Sequence, residues 1–155
     1  MQELLKQYPI IISQAVQWGD MDAAQHINNT VYFRYFESAR IEFFNQIGFM
    51  DFLGENSVGP ILAETSCQYK APLTFPDNIK ITARILPDSF TEYGFTMQHV
   101  VYSEKLRRIA AEGTSRIVCY DYKFKQKSLI SNELREKLMA QHQHKNEPPF
   151  IDNNV

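Results

Sequence analysis

The chain has 155 residues, a formal net charge of −2 at pH 7 and a sequence pI near 6.1. This charge gives no global attraction to nucleic acid or to an anionic membrane, so neither is expected as a partner. With 44% hydrophobic and 22% charged residues, the composition predicts one globular domain spanning residues 1–155, which needs neither disulfides nor a structural metal.

Neither end of the chain resembles a targeting or membrane segment. The first residues contain no sustained apolar stretch typical of a signal peptide, and no later stretch approaches the ~20 apolar residues of a membrane span. We therefore expect a cytoplasmic protein with reduced thiols. Cys67 and Cys119 match no zinc spacing and are expected to be buried thiols. From about residue 140 the polar composition predicts a loose tail.

The first predicted strand runs from Ile10 to Trp18. Ile12, Val16 and Trp18 share one face in a two-residue period, which is typical of a half-buried strand. The end of this strand delivers Asp20 and Asp22 to the loop that follows.

A long helix is predicted from about Asn29. The spacing of its apolar residues places one stripe against the core, and the stripe consists of Tyr32, Phe36, Ala39, Phe43 and Ile47. Three more aromatic residues, Phe33, Tyr35 and Phe44, widen the stripe, so the helix is expected to be central. Gly48 is well placed to end it.

Four further strands are predicted where apolar and polar residues alternate, at about residues 61–69, 79–85, 95–101 and 109–122. In the last strand Ala110, Ala111 and Gly113 are small enough to let another element approach closely. A short helix is predicted from Ser131, as its N-cap, to about Met139.

Together these elements predict an α+β domain in which about five mostly antiparallel strands are covered by one long helix. One helix covers only one face of such a sheet. An open apolar face or edge tends to bind a second copy, so we predict a homo-oligomer, either a homodimer or a homotetramer.

One short stretch, WGDMDAAQHINN from Trp18 to Asn29, gathers two carboxylates, an imidazole and two carboxamides just before the helix. Such residues can start a helix, bind a metal or act on a polarised carbonyl. An EF-hand would need its Gly and its distant Glu at fixed positions, and a zinc site would need more His or Cys. No metal site and no cofactor are therefore expected.

The longer segment VQWGDMDAAQHINNTVYFRYFESAR resembles the signature of the hotdog-fold acyl-CoA thioesterases of the 4-hydroxybenzoyl-CoA thioesterase-like family. The segments SCQYKAPLTFPDNIKI and AAEGTSRIVCYDYKFKQ resemble later strands of the same family. The resemblance implies the hotdog fold, a curved antiparallel sheet wrapped around the helix. It also implies hydrolysis of an acyl-CoA substrate to a free carboxylic acid and coenzyme A. One departure is Gln25, which stands where the family usually has Gly.

The resemblance also implies the catalytic residues Asp22, His26 and Asn29. Asp22 aligns with the family's catalytic carboxylate, which can activate water as a base or attack the carbonyl to give a mixed anhydride. An ordinary aspartate is ionised at neutral pH, which favours attack over basicity. The amide of Asn29 or Thr30, at the positive end of the helix, can stabilise the oxyanion. His26 can orient the carboxylate or the water, contact the substrate carbonyl, or simply hold the loop.

The predicted substrate-binding residues are Asn28, Thr30 and Tyr32. The two asparagines can equally cap the helix, and Tyr32, like Phe36, can be core rather than acyl pocket. Asp20 is expected to serve the turn. Five cations can meet the phosphates of coenzyme A or be ordinary surface charges: Lys70, Arg84, Lys105, Arg107 and Arg108.

Two other functions stay open at this stage. A hotdog protein can bind acyl thioesters without hydrolysing them, or act as an enoyl-thioester hydratase or dehydratase. The sequence lacks the Asp and His pattern of those hydratases, and it contains no nucleophile elbow, P-loop or dinucleotide fingerprint. Turnover of acyl-CoA distinguishes a thioesterase from a binding protein, and water addition to enoyl-CoA would identify a hydratase.

Overall fold

The computed structural model describes residues 5–50 and 57–143. Its strands form one antiparallel sheet in the order β1-β3-β4-β5-β2, with β6 paired to β5. The strands are β1 (Ile10–Ala15), β2 (Val58–Tyr69), β3 (Asn78–Ile85), β4 (Gly94–Ser103), β5 (Arg108–Asp121) and β6 (Gln126–Lys127). The sheet curls around one long helix, so the predicted α+β class is confirmed and the two-residue strand β6 is an addition.

Helix α1 (Val31–Gln46) is the central element, and it contacts all five of the longer strands. Its buried residues are Tyr32, Tyr35, Phe36, Ala39, Arg40, Phe43 and Phe44. The predicted apolar stripe is thus confirmed except at Ile47, which is only partly buried. Gly48 follows with a φ of 70°, the left-handed conformation that ends helices and suits glycine.

The second helix, α2 (Asn132–Gln143), closes the described chain. The hydroxyl of Ser131 accepts the Leu134 N–H at 3.1 Å, as predicted for an N-cap. Leu134 and Leu138 are buried in the core. The helix extends beyond Met139, so residues 140–143 are helical rather than tail, and residues 144–155 lie outside the described residues.

Strand β1 ends earlier than predicted. It stops at Ala15, and the Val16 N–H then donates to the Asp77 carbonyl at 2.9 Å. The next residues form a 3-10 turn, Trp18–Asp20, and the Trp18 side chain is 71% exposed. The predicted shared face of Val16 and Trp18 is therefore wrong, because the strand period does not continue through the turn.

Strand β2 lies at the edge of the sheet and is more exposed than predicted. Its register against β5 shifts between Leu62 and Glu64, so Ala63 has no direct partner. Such a bulge interrupts the alternation of the side chains, and the predicted inward face from Ile61 to Tyr69 is not continuous. Leu62 is 43% exposed and Tyr69 is 48% exposed.

The helix and the sheet approach most closely at Gly113. A Cβ atom added there would collide with the Phe36 ring and the Ser66 carbonyl oxygen. The ring of Phe36 also stacks on the His99 imidazole, with 5.0 Å between the centroids. The predicted close approach at the small residues of β5 is thus confirmed, and Phe36 is the side chain that uses it.

Next to this contact, polar side chains form a buried chain of hydrogen bonds. Because the Thr82 carbonyl can only accept, the His99 Nδ1, 3.1 Å away, carries the proton. His99 Nε2 therefore accepts from the Ser115 hydroxyl at 3.0 Å, and that hydroxyl accepts from Arg40 Nη1 at 3.1 Å. Burial lowers the pKa of His99 to about 3, and the charge of Arg40 acts in the same direction. His99 is therefore neutral, with one tautomer.

The two cysteines are not bonded to each other. Cys119 is buried and Cys67 is partly buried. Burial raises the pKa of the Cys119 thiol to about 11 and also raises the pKa of the Cys67 thiol. Both are therefore protonated at neutral pH. Across the described part of the chain, no helix has the length and apolar character that crossing a membrane would require.

Candidate active site

The loop that precedes α1 is held in shape by its main chain. Met21 and Ile27 pair as an isolated antiparallel bridge. Inside this bridge the Asp22 N–H donates to the His26 carbonyl at 2.8 Å, and the Gln25 N–H donates to the Asp22 carbonyl at 2.9 Å. The predicted pair Asp22 and His26 is thus brought together by the backbone of a tight turn.

Gln25 occupies the strained position of this turn, with a φ of 63°. A side chain in that left-handed conformation costs roughly 1–2 kcal/mol relative to the right-handed one. The resemblance placed a family glycine at this position, and glycine adopts the conformation without that penalty. The loop therefore keeps the geometry a glycine would give it, at some cost in stability.

The Asp22 side chain is exposed, and one of its oxygens is fixed. Its Oδ1 accepts the Ala24 N–H at 2.8 Å, the local bond by which an Asp side chain stabilises a turn. Its other oxygen has no hydrogen-bond partner among the described residues. The carboxylate is therefore oriented by one oxygen and available for chemistry through the other.

The helix start uses some of the predicted donors for its own structure. Thr30, not an asparagine, is the N-cap residue. Asn28 Oδ1 accepts both the Thr30 N–H at 3.0 Å and the Thr30 hydroxyl at 2.6 Å. The amide of Thr30 is therefore occupied and is not the oxyanion donor. Within the described residues the Asn29 N–H has no acceptor, so it is the free one of the two predicted donors.

A cavity of about 400 Å³ lies beside this helix start. Its walls are formed by Asp22, His26, Ile27, Asn29, Tyr32, Tyr69, Lys70, Ala71 and Pro72. Four predicted site residues, Asp22, His26, Asn29 and Tyr32, thus share one cavity. The other two, Asn28 and Thr30, do not line it.

Asp20 acts through its main chain. Its carbonyl accepts the Asn28 N–H at 2.9 Å, and its side chain is not part of the cavity wall. This position agrees with the expected role of Asp20 in the turn. It also makes Asp20 a useful carboxylate for comparison with Asp22.

Tyr69 is a site residue that the sequence reasoning did not assign. Its hydroxyl donates to the Asn29 carbonyl at 2.9 Å, and its ring meets the edge of the Tyr32 ring at 5.1 Å between centroids. Burial raises the pKa of Tyr32 to about 12, so this hydroxyl stays neutral. Tyr69 therefore ties the end of β2 to the helix start. Its position before the Pro72 turn was the only available signal.

Of the five cations proposed for coenzyme A, only Lys70 lines this cavity. Arg84 lies elsewhere, over the Tyr8 ring at 4.8 Å and bonded to Gln98 at 2.8 Å. Among the residues that the structure describes, no group of three or more His, Cys, Asp or Glu side chains could hold a metal ion. The site thus consists of a carboxylate, an imidazole, a free amide and tyrosines.

A curled antiparallel sheet around a central helix, with these groups at the helix start, defines a hotdog protein of the thioesterase class. The sequence itself matches the Thioesterase-like superfamily over residues 16–138, and the chain belongs to that superfamily.

Three relatives illustrate the match. The Long-chain acyl-CoA thioesterase FadM of Escherichia coli (strain K12) is 23% identical over 118 residues, which span 76% of this chain and 88% of FadM. The crystal structure of the PA5185 protein from Pseudomonas aeruginosa is 26% identical, with a TM-score of 0.75 and coverage of 88% and 94%. A Thermus thermophilus thioesterase complexed with coenzyme A and Zn has a TM-score of 0.76 at 22% identity, covering 92% and 98%. At that identity the last comparison shows the fold alone.

Proposed function

We propose that this protein hydrolyses acyl-CoA thioesters to a carboxylic acid and free coenzyme A. The observation that carries the proposal is that the Asp22 carboxylate and the free Asn29 amide share one cavity at the start of α1. The description of FadM as a long-chain acyl-CoA thioesterase supports coenzyme A esters as the substrate class.

The helix start is suited to polarise the thioester carbonyl. The N-terminus of a helix carries roughly +0.5 of an elementary charge, concentrated on its unpaired N–H groups. A carbonyl oxygen bound to the Asn29 N–H gains from this charge as it becomes an oxyanion. Removing one such donor typically costs ~10²–10³-fold in rate.

Asp22 supplies the attack by one of two routes. As a general base it takes a proton from water, the resulting hydroxide adds to the carbonyl, and the carbon–sulfur bond breaks to release the thiolate. As a nucleophile its free oxygen displaces the thiolate and forms a mixed anhydride, which water then hydrolyses. Both routes use the oxygen of Asp22 that the Ala24 N–H does not hold. Single turnover in heavy-oxygen water identifies the nucleophilic route if label enters the Asp22 carboxylate.

Three further residues have positioning and binding roles in this scheme. His26 lines the cavity and is joined to Asp22 by a main-chain hydrogen bond of 2.8 Å, so its ring can orient the water or the carbonyl. Tyr32 supplies an apolar wall with a neutral hydroxyl. Tyr69, through the Asn29 carbonyl, fixes the residue that carries the oxyanion donor.

The test compares two carboxylates of the same loop. Free-thiol release from short, long and aromatic acyl-CoAs is measured for the wild type, Asp22→Asn and Asp20→Asn. We expect Asp22→Asn to lose at least ~10²-fold in rate and Asp20→Asn, outside the cavity, to lose far less. Equal losses, or an inert wild type that only binds acyl-CoA, would contradict the proposal.

The edge strand β2 supports a homodimer. It exposes a free edge of 12 residues with large apolar side chains, among them Ile61 and Leu62. Unpaired strand edges of this kind readily pair with another chain. We expect light scattering to give a dimer or tetramer mass for the wild type and a monomer mass for Leu62→Lys. Ile11→Lys, on the shorter opposite edge, is the control, and a monomeric wild type would contradict the proposal.

The cytoplasmic location and the single-domain organisation stay predictions from the sequence. The proposed reaction requires only protein groups, water and the substrate.

A further inference from the structure

A second cavity, of about 370 Å³, lies outside the candidate active site. It is formed where the end of β1, the segment 75–78 and the turn between β4 and β5 meet. Phe75 is in its wall and is 45% exposed. Asn78, also exposed, has no side-chain hydrogen bond to any of the described residues. The cavity therefore presents an aromatic face beside an unused carboxamide.

This cavity is close to the first one along a single segment. Pro72 lines the first cavity and Phe75 lines the second, so the chain between them spans at most about 10 Å. Between the two, Lys105 Nζ donates to the Thr74 hydroxyl at 3.2 Å. A ligand with a long flexible arm can therefore occupy both cavities at once.

The charge around the second cavity is positive where it is free. Asp77 accepts from the Ser103 hydroxyl, and its other oxygen accepts the Lys105 N–H at 3.0 Å. Glu104 pairs with Lys80 at 3.3 Å. Both carboxylates of the wall are therefore engaged.

Three cations of the β4–β5 turn are not neutralised in this way. Lys105, Arg107 and Arg108 are exposed, and none has an acidic partner among the described residues. Lysine and arginine in this arrangement are the side chains that bind phosphate groups. The turn thus offers a phosphate-binding rim beside an aromatic surface.

We infer that the second cavity binds the nucleotide end of coenzyme A, with the adenine on Phe75 and the phosphates at Lys105 and the adjoining arginines. An exposed aromatic ring stacks well on a base, and an Asn carboxamide can form two hydrogen bonds with the amino edge of adenine. The pantetheine arm then leads past Pro72 to the thioester at Asp22. The inference rests on the proposed function and adds to it the residues that recognise the carrier.

The experiment compares one acyl group on two carriers. The value of kcat/KM is measured for acyl-CoA and for the same acyl group on pantetheine, which lacks the nucleotide. We expect the ratio of the two values to fall about tenfold or more in Phe75→Ala and in Lys105→Ala, because base stacking is worth ~1–3 kcal/mol. An unchanged ratio in both variants would overturn the inference.

The controls are Phe124→Ala and Lys123→Ala, an exposed aromatic and a cation in the turn that follows β5. They lie beyond the opposite end of a 14-residue strand, roughly 40 Å from the β4–β5 turn. A fall in the ratio in these controls as well would also count against a specific site.

If the wild type hydrolyses neither ester, the proposed function fails, and calorimetric titration with coenzyme A then decides the inference. Binding that weakens about tenfold in Phe75→Ala supports the nucleotide site. Absence of binding, or equal binding by the wild type and both variants, overturns it.

Discussion

Two histidines show how differently this chain uses the same side chain. His26 lies in an exposed loop whose shape is set by main-chain hydrogen bonds, and its ring borders the cavity. His99 is fully buried, stacked on Phe36 and bonded through both ring nitrogens. In the loop the backbone maintains the structure and the side chains are free to act. At the helix–sheet contact the side chains themselves maintain the structure.

The largest expected effect comes from removing each histidine in turn. His99→Ala leaves a cavity beside Phe36 and removes the partners of Ser115 and Thr82, so we expect a loss of about 3 kcal/mol or more in the free energy of unfolding. His26→Ala should change stability by less than about 0.5 kcal/mol while lowering thiol release about tenfold or more. Urea unfolding and the hydrolysis assay measure the two effects. Similar stability losses in both variants would erase the distinction between the regions.

The next effect concerns two glycines, one in each region. Gly113→Ala forces a Cβ atom into Phe36 and the Ser66 carbonyl, and such overpacking typically costs ~1–3 kcal/mol. Gly19, in the turn before the loop, has nothing within 4 Å of the position of an added Cβ. We expect Gly19→Ala to unfold like the wild type in thermal melts. A stable Gly113→Ala variant would mean that the helix can move away from β5.

The pH dependence of stability should report on His99. Its pKa is lowered to about 3 in the folded protein, against ~6.5 in an unfolded chain. The unfolded state binds more protons between these values, so stability is full above about pH 6.5 and falls as the pH drops. The contribution is at most about 1.4 kcal/mol per pH unit.

The measurement is urea unfolding between pH 7 and 5 for the wild type and His99→Gln, whose amide can replace both hydrogen bonds. We expect a smaller slope in His99→Gln than in the wild type and no such difference in His26→Ala. Identical slopes for the wild type and His99→Gln would show that His99 is not the titrating group.

The smallest expected effect is at Gln25. Replacing a residue in the left-handed conformation by glycine relieves strain, although glycine also gains entropy in the unfolded chain. We therefore expect Gln25→Gly to stabilise the protein by up to about 1 kcal/mol in urea unfolding, with thiol release unchanged. Destabilisation would show that the Gln25 side chain contributes contacts that outweigh its strain.

The sequence predicted the elements whose period is regular. The stripe of α1 from Tyr32 to Phe43 and the inward face of β4 at Phe95, Met97, His99 and Val101 are buried as expected. Predictions failed where one residue changes the period. The 3-10 turn turns Trp18 outward, and the bulge at Ala63 interrupts the inward face of β2. Neither event has a local sequence signal strong enough to override alternation.

The candidate site was predictable in its residues but not in its bonds. Asp22, His26 and Asn29 lie within one stretch of sequence, and the structure places them on one cavity. Which amide stays free depends on Asn28 turning its side chain onto Thr30, a choice between rotamers that the sequence does not encode visibly. Tyr69 reaches the site from β2 only through the sheet order.

The hydrogen-bonded frame of the loop also bears on how such a protein changes over evolutionary time. Ala23, Ala24 and Gln25 are exposed, and their side chains contribute nothing to the main-chain bonds that hold Asp22. Substitutions at these three positions can therefore alter the rim of the cavity while the carboxylate stays in place. A randomised library at residues 23–25 should yield many folded variants that differ in acyl preference, which makes this loop a starting point for selecting new substrates.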